Sequence, residues 1–287
     1  MRLDKGPYTA SLFIWNGVSA FFLSSNLTPF HSHNTMQVAF DLRSNFRCRT
    51  PATDWGIYKS IVIKENAVHQ LDTNGSVQLL LYIDAESVAA KAINKKYLKG
   101  ADTAPLDIDI LDIIKPGSLE QCLVEPEPVL FGEVVQRLLD HLSGRPSLYQ
   151  QDKRITAILK ILATNKEEDP SISSLARTVF LSESRLRSLF KKTTGVSLHR
   201  YIIWNRIMTG ITQLLNGATV ADAAASCGFS DTSHFHKMLV QMFGISPSQF
   251  IKDNSKKNIH ICHADPLLHE TRAHNEDTWE ITQVYRV

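Results

Sequence analysis

The sequence predicts an α+β protein of two domains: an antiparallel β-barrel with flanking helices, followed by an all-helical domain with two helix-turn-helix units. Short runs rich in β-branched and aromatic residues, separated by turn formers, fill the N-terminal part of the chain, and the last third contains one helix-pair pattern twice. With 287 residues, of which 43% are apolar, both domains are large enough to bury a core.

Five apolar runs predict the strands of the first domain. They read TASLFIWN, VSAFFLSS, TMQVAFDL, YKSIVIK and VQLLLYI. Turn-forming pairs such as Asn16-Gly17 and Asn74-Gly75 separate them, as expected for antiparallel neighbours. After Ala85 the pattern becomes helical. A helix is expected from about Pro128 to Leu142, and its apolar stripe is suited to packing against a second copy of the chain or against the other domain.

The helix pair begins at Ile172 in the first copy and at Val220 in the second. In both copies apolar residues recur at helical spacing, which gives each helix one stripe to bury. Ser182 and Ser230 precede the second helices, where a hydroxyl can accept the free amides of a helix N-terminus. Two such copies close together predict two DNA-reading units on one polypeptide.

The second helix of each pair leaves a polar face outward. The outward residues are Ser184, Arg187, Ser188 and Lys191 in the first copy, and Ser233, His234 and Lys237 in the second. Arginine pairs with guanine through two hydrogen bonds, while serine and histidine make shorter polar contacts with base edges. The plain alternative is the solvated face of an ordinary helical bundle, and the presence of two registered copies argues against it.

Charge is unevenly distributed along a nearly neutral chain. Residues 1–149 contain 14 basic and 16 acidic residues, residues 150–257 contain 15 and 8, and residues 258–287 contain 2 and 5. The predicted helical domain therefore carries the positive charge that contact with phosphates requires.

The segment from about Gln150 to Lys252 resembles the DNA-binding domain of the AraC/XylS transcriptional regulators. The motifs that carry the resemblance are LSESRLRSLFKKTTGVSLHRYI and AAASCGFSDTSHFHKMLVQMFGISPSQF. The resemblance implies a DNA-binding domain over residues 150–253, a long central helix from about Leu198 to Leu215, and base-facing roles for the seven outward residues. The chain departs from the family where Val240 and Gln241 replace a basic pair, which predicts weaker phosphate binding by the second unit.

Residues 1–145 resemble, on fewer motifs, the cupin-like sensor barrel that precedes many AraC-type domains. The segments that carry this resemblance are Pro29-Phe30-His31-Ser32-His33, Gln37 and Asn66-Ala67-Val68-His69. It implies an effector pocket formed by His31, His33, Gln37 and His69. In metal cupins a glutamate occupies the place of Gln37, and an amide is a poorer ligand for hard divalent ions. We therefore expect a pocket without metal; bound metal and purely structural histidines are the alternatives.

Residues 254–287 form a C-terminal extension. Apolar and polar residues alternate along its last ten residues, TWEITQVYRV, which predicts a strand over Trp279–Val287. An unpaired strand leaves backbone groups unsatisfied, so we expect it to add to an edge of the N-terminal sheet. The alternative is a loosely packed extension. The histidines and the cysteine of this segment fit no standard zinc spacing.

The features together predict a bacterial, cytoplasmic transcription regulator that is not an enzyme and needs no cofactor. Its expected partners are double-stranded promoter DNA, a small-molecule effector, RNA polymerase if it activates, and a second copy of the chain. No membrane partner is expected, because no apolar run is long enough to span a bilayer. The alternatives are a metal-dependent cupin enzyme fused to a DNA-binding module, and a dimeric regulator that senses nothing.

Overall fold

The computed structural model describes residues 10–15, 17–24, 27–115, 117, 119, 121–122, 128–144, 152–164, 170–243, 257–261 and 284–285. It confirms the α+β class, with a β-rich N-terminal part and a helical C-terminal part. None of the helices that it describes is long and apolar enough to cross a membrane.

The described strands form two sheets. They are β1 (Ala10–Trp15), β2 (Val18–Ser24), β3 (Thr35–Asp41), β4 (Phe46–Arg49), β5 (Gly56–Tyr58), β6 (Ser60–Ile63), β7 (Gln70–Asp72), β8 (Val77–Asp84), β9 (Thr103–Pro105), β10 (Lys257–Ile261) and β11 (Val284–Tyr285). The larger sheet has the order β11-β10-β1-β2-β8-β3-β6-β9 within the described residues, and β5-β4-β7 form the smaller one. The five predicted runs are all strands, whereas the short strands of the smaller sheet were not predicted.

The helices surround these sheets and build the C-terminal part. They include α1 (Val88–Ile93), α2 (Ile110–Ile113), α3 (Pro128–Ser143), α4 (Lys153–Thr164), α5 (Ile172–Thr178), α6 (Glu183–Thr194), α7 (Leu198–Leu215), α8 (Val220–Ser226) and α9 (Thr232–Phe243). A π-helical turn at Asn94–Leu98 extends α1. The predicted helix near 128–142 and the predicted central helix, α7, are therefore confirmed.

One predicted turn connects the two sheets. Asn74 and Gly75 both have positive φ, 49° and 73°, and the Ser76 amide donates to the Thr73 carbonyl at 2.9 Å. Both central positions of this turn are left-handed, a conformation that asparagine and glycine adopt more readily than other residues. This turn joins β7 of the smaller sheet to β8 of the larger sheet.

The larger sheet is buried on both faces. One face, with Phe13, Phe40 and Leu81, packs under α3 through residues such as Phe131. The other face is divided: around β3, β6 and β8 it packs on the smaller sheet, while Leu12 and Ile14 of β1 pack on the helical domain. Because successive residues of a strand point to opposite faces, β1 joins two cores.

The C-terminal extension returns to the N-terminal sheet. Strand β10 pairs in parallel with β1, and β11 pairs antiparallel with β10. Part of the predicted terminal strand thus lies at a sheet edge in its own chain, although its neighbour is an unpredicted strand. The rest of Trp279–Val287, the extension's other histidines and cysteine, and the linker after Gly144 lie outside the described residues.

Candidate functional site

The second helices of the two helix-turn-helix units are α6 and α9, which we call the reading helices. The local sequence explains where each of them begins. The Ser182 hydroxyl accepts the Arg185 amide at the start of α6, as predicted. At α9 the prediction is wrong, because the His234 amide donates to Asp231 at 2.7 Å and Ser230 donates to that same carboxylate at 3.1 Å. An aspartate next to the helix is the stronger acceptor and displaces the serine to a supporting role.

All seven predicted base-facing residues are exposed on these two helices. They are Ser184, Arg187, Ser188 and Lys191 on α6, and Ser233, His234 and Lys237 on α9. The opposite faces are buried, by Leu186 and Phe190 in the first unit and by Phe235 and Leu239 in the second. The amphipathic division predicted from the sequence therefore leaves two polar faces free of the cores.

Arg187 is only loosely restrained within its own helix. Its guanidinium lies 3.5 Å from the Glu183 carboxylate, one turn earlier, and both side chains are half exposed. An exposed i,i+4 pair contributes about 0.3–0.5 kcal/mol, so the side chain can leave it at little cost.

The turns of the two units have the same backbone conformation but different residues at the left-handed position. Phe180 in the first turn and Gly228 in the second both have positive φ, 54° and 71°. Glycine adopts this conformation freely, whereas an aromatic residue is strained in it. Phe180 is also 95% exposed, so its ring gains nothing from burial.

The helical domain contacts the barrel at Asp84, the last residue of β8. Asp84 is fully buried and accepts hydrogen bonds from Arg200 Nε at 2.7 Å and Trp204 Nε1 at 3.2 Å, both on the central helix α7. Nearby, the Val88 amide donates to the carbonyl of Gly195, which ends α6. A buried carboxylate held by a cation and an indole is a specific contact, because losing either partner leaves it poorly satisfied.

The predicted pocket residues converge at one end of the barrel. His31 and His69 form a β-bridge with amide–carbonyl distances of 3.0 Å, and His33 precedes β3. One ring nitrogen of each histidine lies within 4.8 Å of those of the other two. His33 and His69 are buried and His31 is half-buried, so the pocket is open on the His31 side. The three rings thus lie close together, although His31 and His33 do not lie on one regular strand.

Each pocket histidine is anchored through the same ring atom. Nδ1 of His31 lies 2.9 Å from the Pro29 carbonyl, Nδ1 of His33 lies 2.8 Å from that of Thr35, and Nδ1 of His69 lies 2.9 Å from that of Ala67. A carbonyl oxygen only accepts, so all three Nδ1 atoms carry the proton.

Gln37 lies between two of the rings. Its side-chain oxygen is 2.8 Å from His33 Nε2 and 3.1 Å from His69 Nε2, and its fully buried amide nitrogen has no partner among the described residues. Burial lowers the pKa of His33 and lowers the pKa of His69 to about 3, so both rings are neutral near pH 7.

The loop before His69 contains a left-handed residue. Asn66 has a φ of 61°, and its amide donates to the His33 carbonyl at 2.7 Å. Asparagine tolerates the left-handed region better than other residues with a side chain. The loop that presents His69 therefore forms without glycine.

The pocket is close to the Asp84 contact. The partly buried Tyr82 ring packs edge-on against His33, with ring centroids 4.9 Å apart, and Asp84 follows two residues later on β8. Thr35, whose carbonyl anchors His33, is the register partner of Asp84. Two adjacent strands thus join the pocket to the central helix.

Two helix-turn-helix units whose polar reading helices are held by one central helix define a double helix-turn-helix DNA-binding domain. A family model described as "Helix-turn-helix domain" matches residues 175–253. The regulator MtrA of Neisseria gonorrhoeae is 27% identical over 108 residues, 37% of this chain and 36% of MtrA. The activator RhaR of Pectobacterium atrosepticum is 39% identical over 70 residues, 24% of this chain and 25% of RhaR. The predicted resemblance to the DNA-binding domain of the AraC/XylS regulators is thus confirmed over residues 175–253.

The matches to the curated relatives are partial, and the solved structures match at low sequence identity. The chain spans roughly a third to a half of the length of the first curated relatives. ToxT of Vibrio cholerae matches with 13% identity and a TM-score of 0.42, over 82% of this chain and 97% of ToxT. An AraC-type DNA-binding protein of Chromobacterium violaceum matches with 24% identity and a TM-score of 0.34, over 35% of this chain and 91% of that one.

Proposed function

We propose that the chain is a sequence-specific DNA-binding transcriptional regulator whose barrel binds a small effector. The observation that carries the DNA-binding part is the pair of exposed polar helices on either side of α7. An 18-residue helix is about 27 Å long, near the roughly 34 Å between successive turns of the major groove. The two reading helices therefore suit adjacent groove turns on one side of the duplex.

The roles of the outward residues follow from their chemistry. Arg187 reads a guanine through its two-pronged guanidinium, and Ser184, Ser188, Ser233 and His234 contact neighbouring base edges. Lys191 and Lys237 neutralise phosphates, which fixes the register of each helix without reading sequence. RNA polymerase, for an activator, and a second copy of the chain complete the proposed partners.

The proposed effector site is the pocket of His31, His33, Gln37 and His69. A ligand bound there contacts His33. Tyr82 and Thr35 connect His33 to the strand ends that position Asp84. It biases the DNA-binding domain only if it prefers one arrangement of the Asp84 contact over another. Metal-dependent catalysis is not proposed, since the relatives matched are named as transcriptional regulators.

Genome-wide mapping of the promoters bound by the protein tests this function. We expect a shared site with two half-elements about one helical turn apart. Binding of the purified chain to that site should exceed binding to a scrambled duplex by at least about 1,000-fold at physiological salt. Equal affinity for both duplexes contradicts the proposal.

A further inference from the structure

We propose that the N-terminal domain also binds DNA, through exposed lysines of α1 and its π-helical turn that lie beside the first reading helix. These residues, Lys91, Lys95 and Lys99, are called the lysine strip below. Its occupant is the phosphate backbone next to the half-element that the first unit reads. The inference rests on the proposed function for the identity of that half-element, and it adds a third contact to those of the two reading helices.

Positive charge is concentrated at this strip although its domain is acidic as a whole. Residues 1–149 contain 14 basic and 16 acidic residues, yet residues 87–100 contain four lysines and no acid. All four lysines are exposed. The fourth, Lys96, points elsewhere, because its ammonium lies 3.4 and 3.5 Å from the carbonyls of His141 and Leu142 near the end of α3. The other three are left for a partner outside the domain.

The strip has the length and spacing to meet several phosphates. Lys95 follows Lys91 by four residues, about one helical turn, and therefore lies on the same face. Lys99 follows after four more and ends the π-helical turn, where its amide donates to the Asn94 carbonyl at 3.1 Å. Eight helical residues rise about 12 Å, and duplex DNA carries one negative charge per about 1.7 Å of its axis.

The start of α1 is attached to the end of the first reading helix. The Val88 amide donates at 3.2 Å to the carbonyl of Gly195, which ends α6. Glu86 lies at this junction, and its carboxylate is 2.8 Å from Lys91 Nζ. The hydrogen bond and charge of Lys91 lower the pKa of Glu86, and the positive charge of Lys191 lowers it further. Since Lys191 belongs to the outward face of α6, the strip continues the cationic face of the reading helix.

The buried Asp84 contact keeps this junction in place. Asp84 precedes Glu86 by two residues and accepts hydrogen bonds from Arg200 and Trp204 of α7, the helix that follows α6. The phosphate backbones border the groove that a reading helix enters. When α6 enters its groove, α1 is therefore carried toward the neighbouring backbone in a fixed position, and no flexible segment has to be ordered on binding.

The plain alternative is a solvated lysine face without a partner. Like charges four residues apart destabilise a helix, so the strip has a cost that a purely structural surface does not require. Among the described residues, Lys95 and Lys99 form no ion pair that would offset this cost. A phosphate backbone offsets it, which favours DNA as the occupant.

The test compares two variants of the full-length chain, each with three positive charges removed. Changing all three residues of the lysine strip to glutamine should lower the slope of log affinity against log salt by about two to three units, since each phosphate contact contributes about 0.9 unit. The control carries Arg43→Gln, Arg47→Gln and Lys59→Gln, at exposed positions on other elements of the same domain. Its slope should stay within about half a unit of the wild-type slope. Equal decreases in the two variants, or a wild-type slope in the strip variant, overturn the inference.

Hydroxyl-radical footprinting locates the contact on the DNA. The strip variant should lose backbone protection next to the half-element at which Arg187→Ala relaxes base preference, and should keep protection at the other half-element. Protection that is unchanged at both half-elements overturns the placement of the strip.

A gain-of-binding variant guards against misfolding as an explanation. Glu86→Gln removes the negative charge between the strip and the reading helix and releases Lys91 from an exposed ion pair that is worth little. This variant should bind DNA severalfold more tightly than the wild type. Unchanged or weaker binding by the folded variant contradicts the position of the strip beside the DNA.

A scrambled duplex separates this inference from the proposed function. Phosphate contacts carry no sequence information, so the strip variant should lose affinity for the promoter site and for the scrambled duplex alike. If the wild type selects its site and the strip variant keeps the wild-type slope, the strip fails and the regulator stands. If the wild type binds both duplexes equally and the strip variant still loses slope on both, the proposed function fails and the strip stands.

Discussion

The two helix-turn-helix units have similar backbones and different surroundings. The first unit has a core of its own, in which Leu175, Leu186 and Phe190 pack with α4 and the start of α7. The second unit shares its core with the barrel, because Phe235 and Trp204 belong to one cluster with Leu12 and Ile14 of β1. The second unit therefore packs directly on the N-terminal domain, while the end of α6 in the first unit contacts that domain through the hydrogen bond from Val88 to Gly195, and the central helix contacts it through Asp84.

The reading helices of the two units also differ in their number of positive charges. The reading helix of the first unit carries four exposed cations, Arg185, Arg187, Lys191 and Lys192, whereas Lys237 is the charged residue of the described face of α9. The unit with its own core thus has the stronger attraction to phosphates. We infer that the first unit supplies most of the affinity, and that the second fixes the position of DNA relative to the barrel.

The largest expected effect concerns the salt dependence of binding. Replacing the four cations of the first reading helix by alanine should lower the slope of log affinity against log salt by about three units, because each cation that neutralises a phosphate contributes about 0.9 unit. Lys237→Ala in the second unit should lower it by about one unit at most. Salt titrations of each variant on one duplex measure both slopes. Equal decreases in slope would contradict the inference that the first unit supplies most of the affinity.

The next effect concerns sequence reading by the first unit. Arg187→Ala should cost about 1–3 kcal/mol in specific binding and relax the preference at one base position. Arg187→Lys is the matched control: it keeps the charge but loses the planar fork, so it should lose discrimination while keeping the salt slope. If a panel of single-base operator changes gives the same profile for all three proteins, Arg187 does not read a base.

The shared core of the second unit gives a third test. A Cβ at Gly210 of α7 would lie 2.6 Å from Phe235 Cε2 and 3.0 Å from Cys227 Sγ. Gly210→Ala should therefore lower the free energy of unfolding by about 1–3 kcal/mol, despite the better helix propensity of alanine. Urea denaturation followed by circular dichroism measures the loss, and Gln213→Ala, at a half-buried position of the same helix, is the control.

The sequence predicts a structural feature well when residues nearby in the chain determine it, and poorly when distant residues do. The central helix at Leu198–Leu215 was predicted from the family resemblance, and in the structure the nearby Ser197 hydroxyl caps its start. The start of α9 was misassigned to Ser230, since a serine and an aspartate in succession are both good caps. Strand β10 was missed because its partner is β1, nearly 250 residues earlier in the chain.

The histidine pocket shows the same limit. His31, His33, Gln37 and His69 were predicted together from the resemblance to cupin-like barrels. The anchoring of every Nδ1 to a carbonyl depends on three separate loop conformations, which no motif spacing encodes. The shared core of β1 and the second unit likewise follows from tertiary packing alone.

The smallest effect expected is at the two turns, where the units differ by one residue in the same left-handed conformation. Phe180→Gly removes about 1 kcal/mol of backbone strain, and the added freedom of the unfolded chain offsets about 0.5–1 kcal/mol of that gain. Its free energy of unfolding should therefore equal or slightly exceed that of the wild type. Gly228→Phe transfers the strain to the second unit and should cost about 1–2 kcal/mol. Thermal denaturation of both variants compares the turns directly. A clear loss of stability on Phe180→Gly would mean that the exposed ring has a packing partner, and would give the first unit a contact beyond its own core.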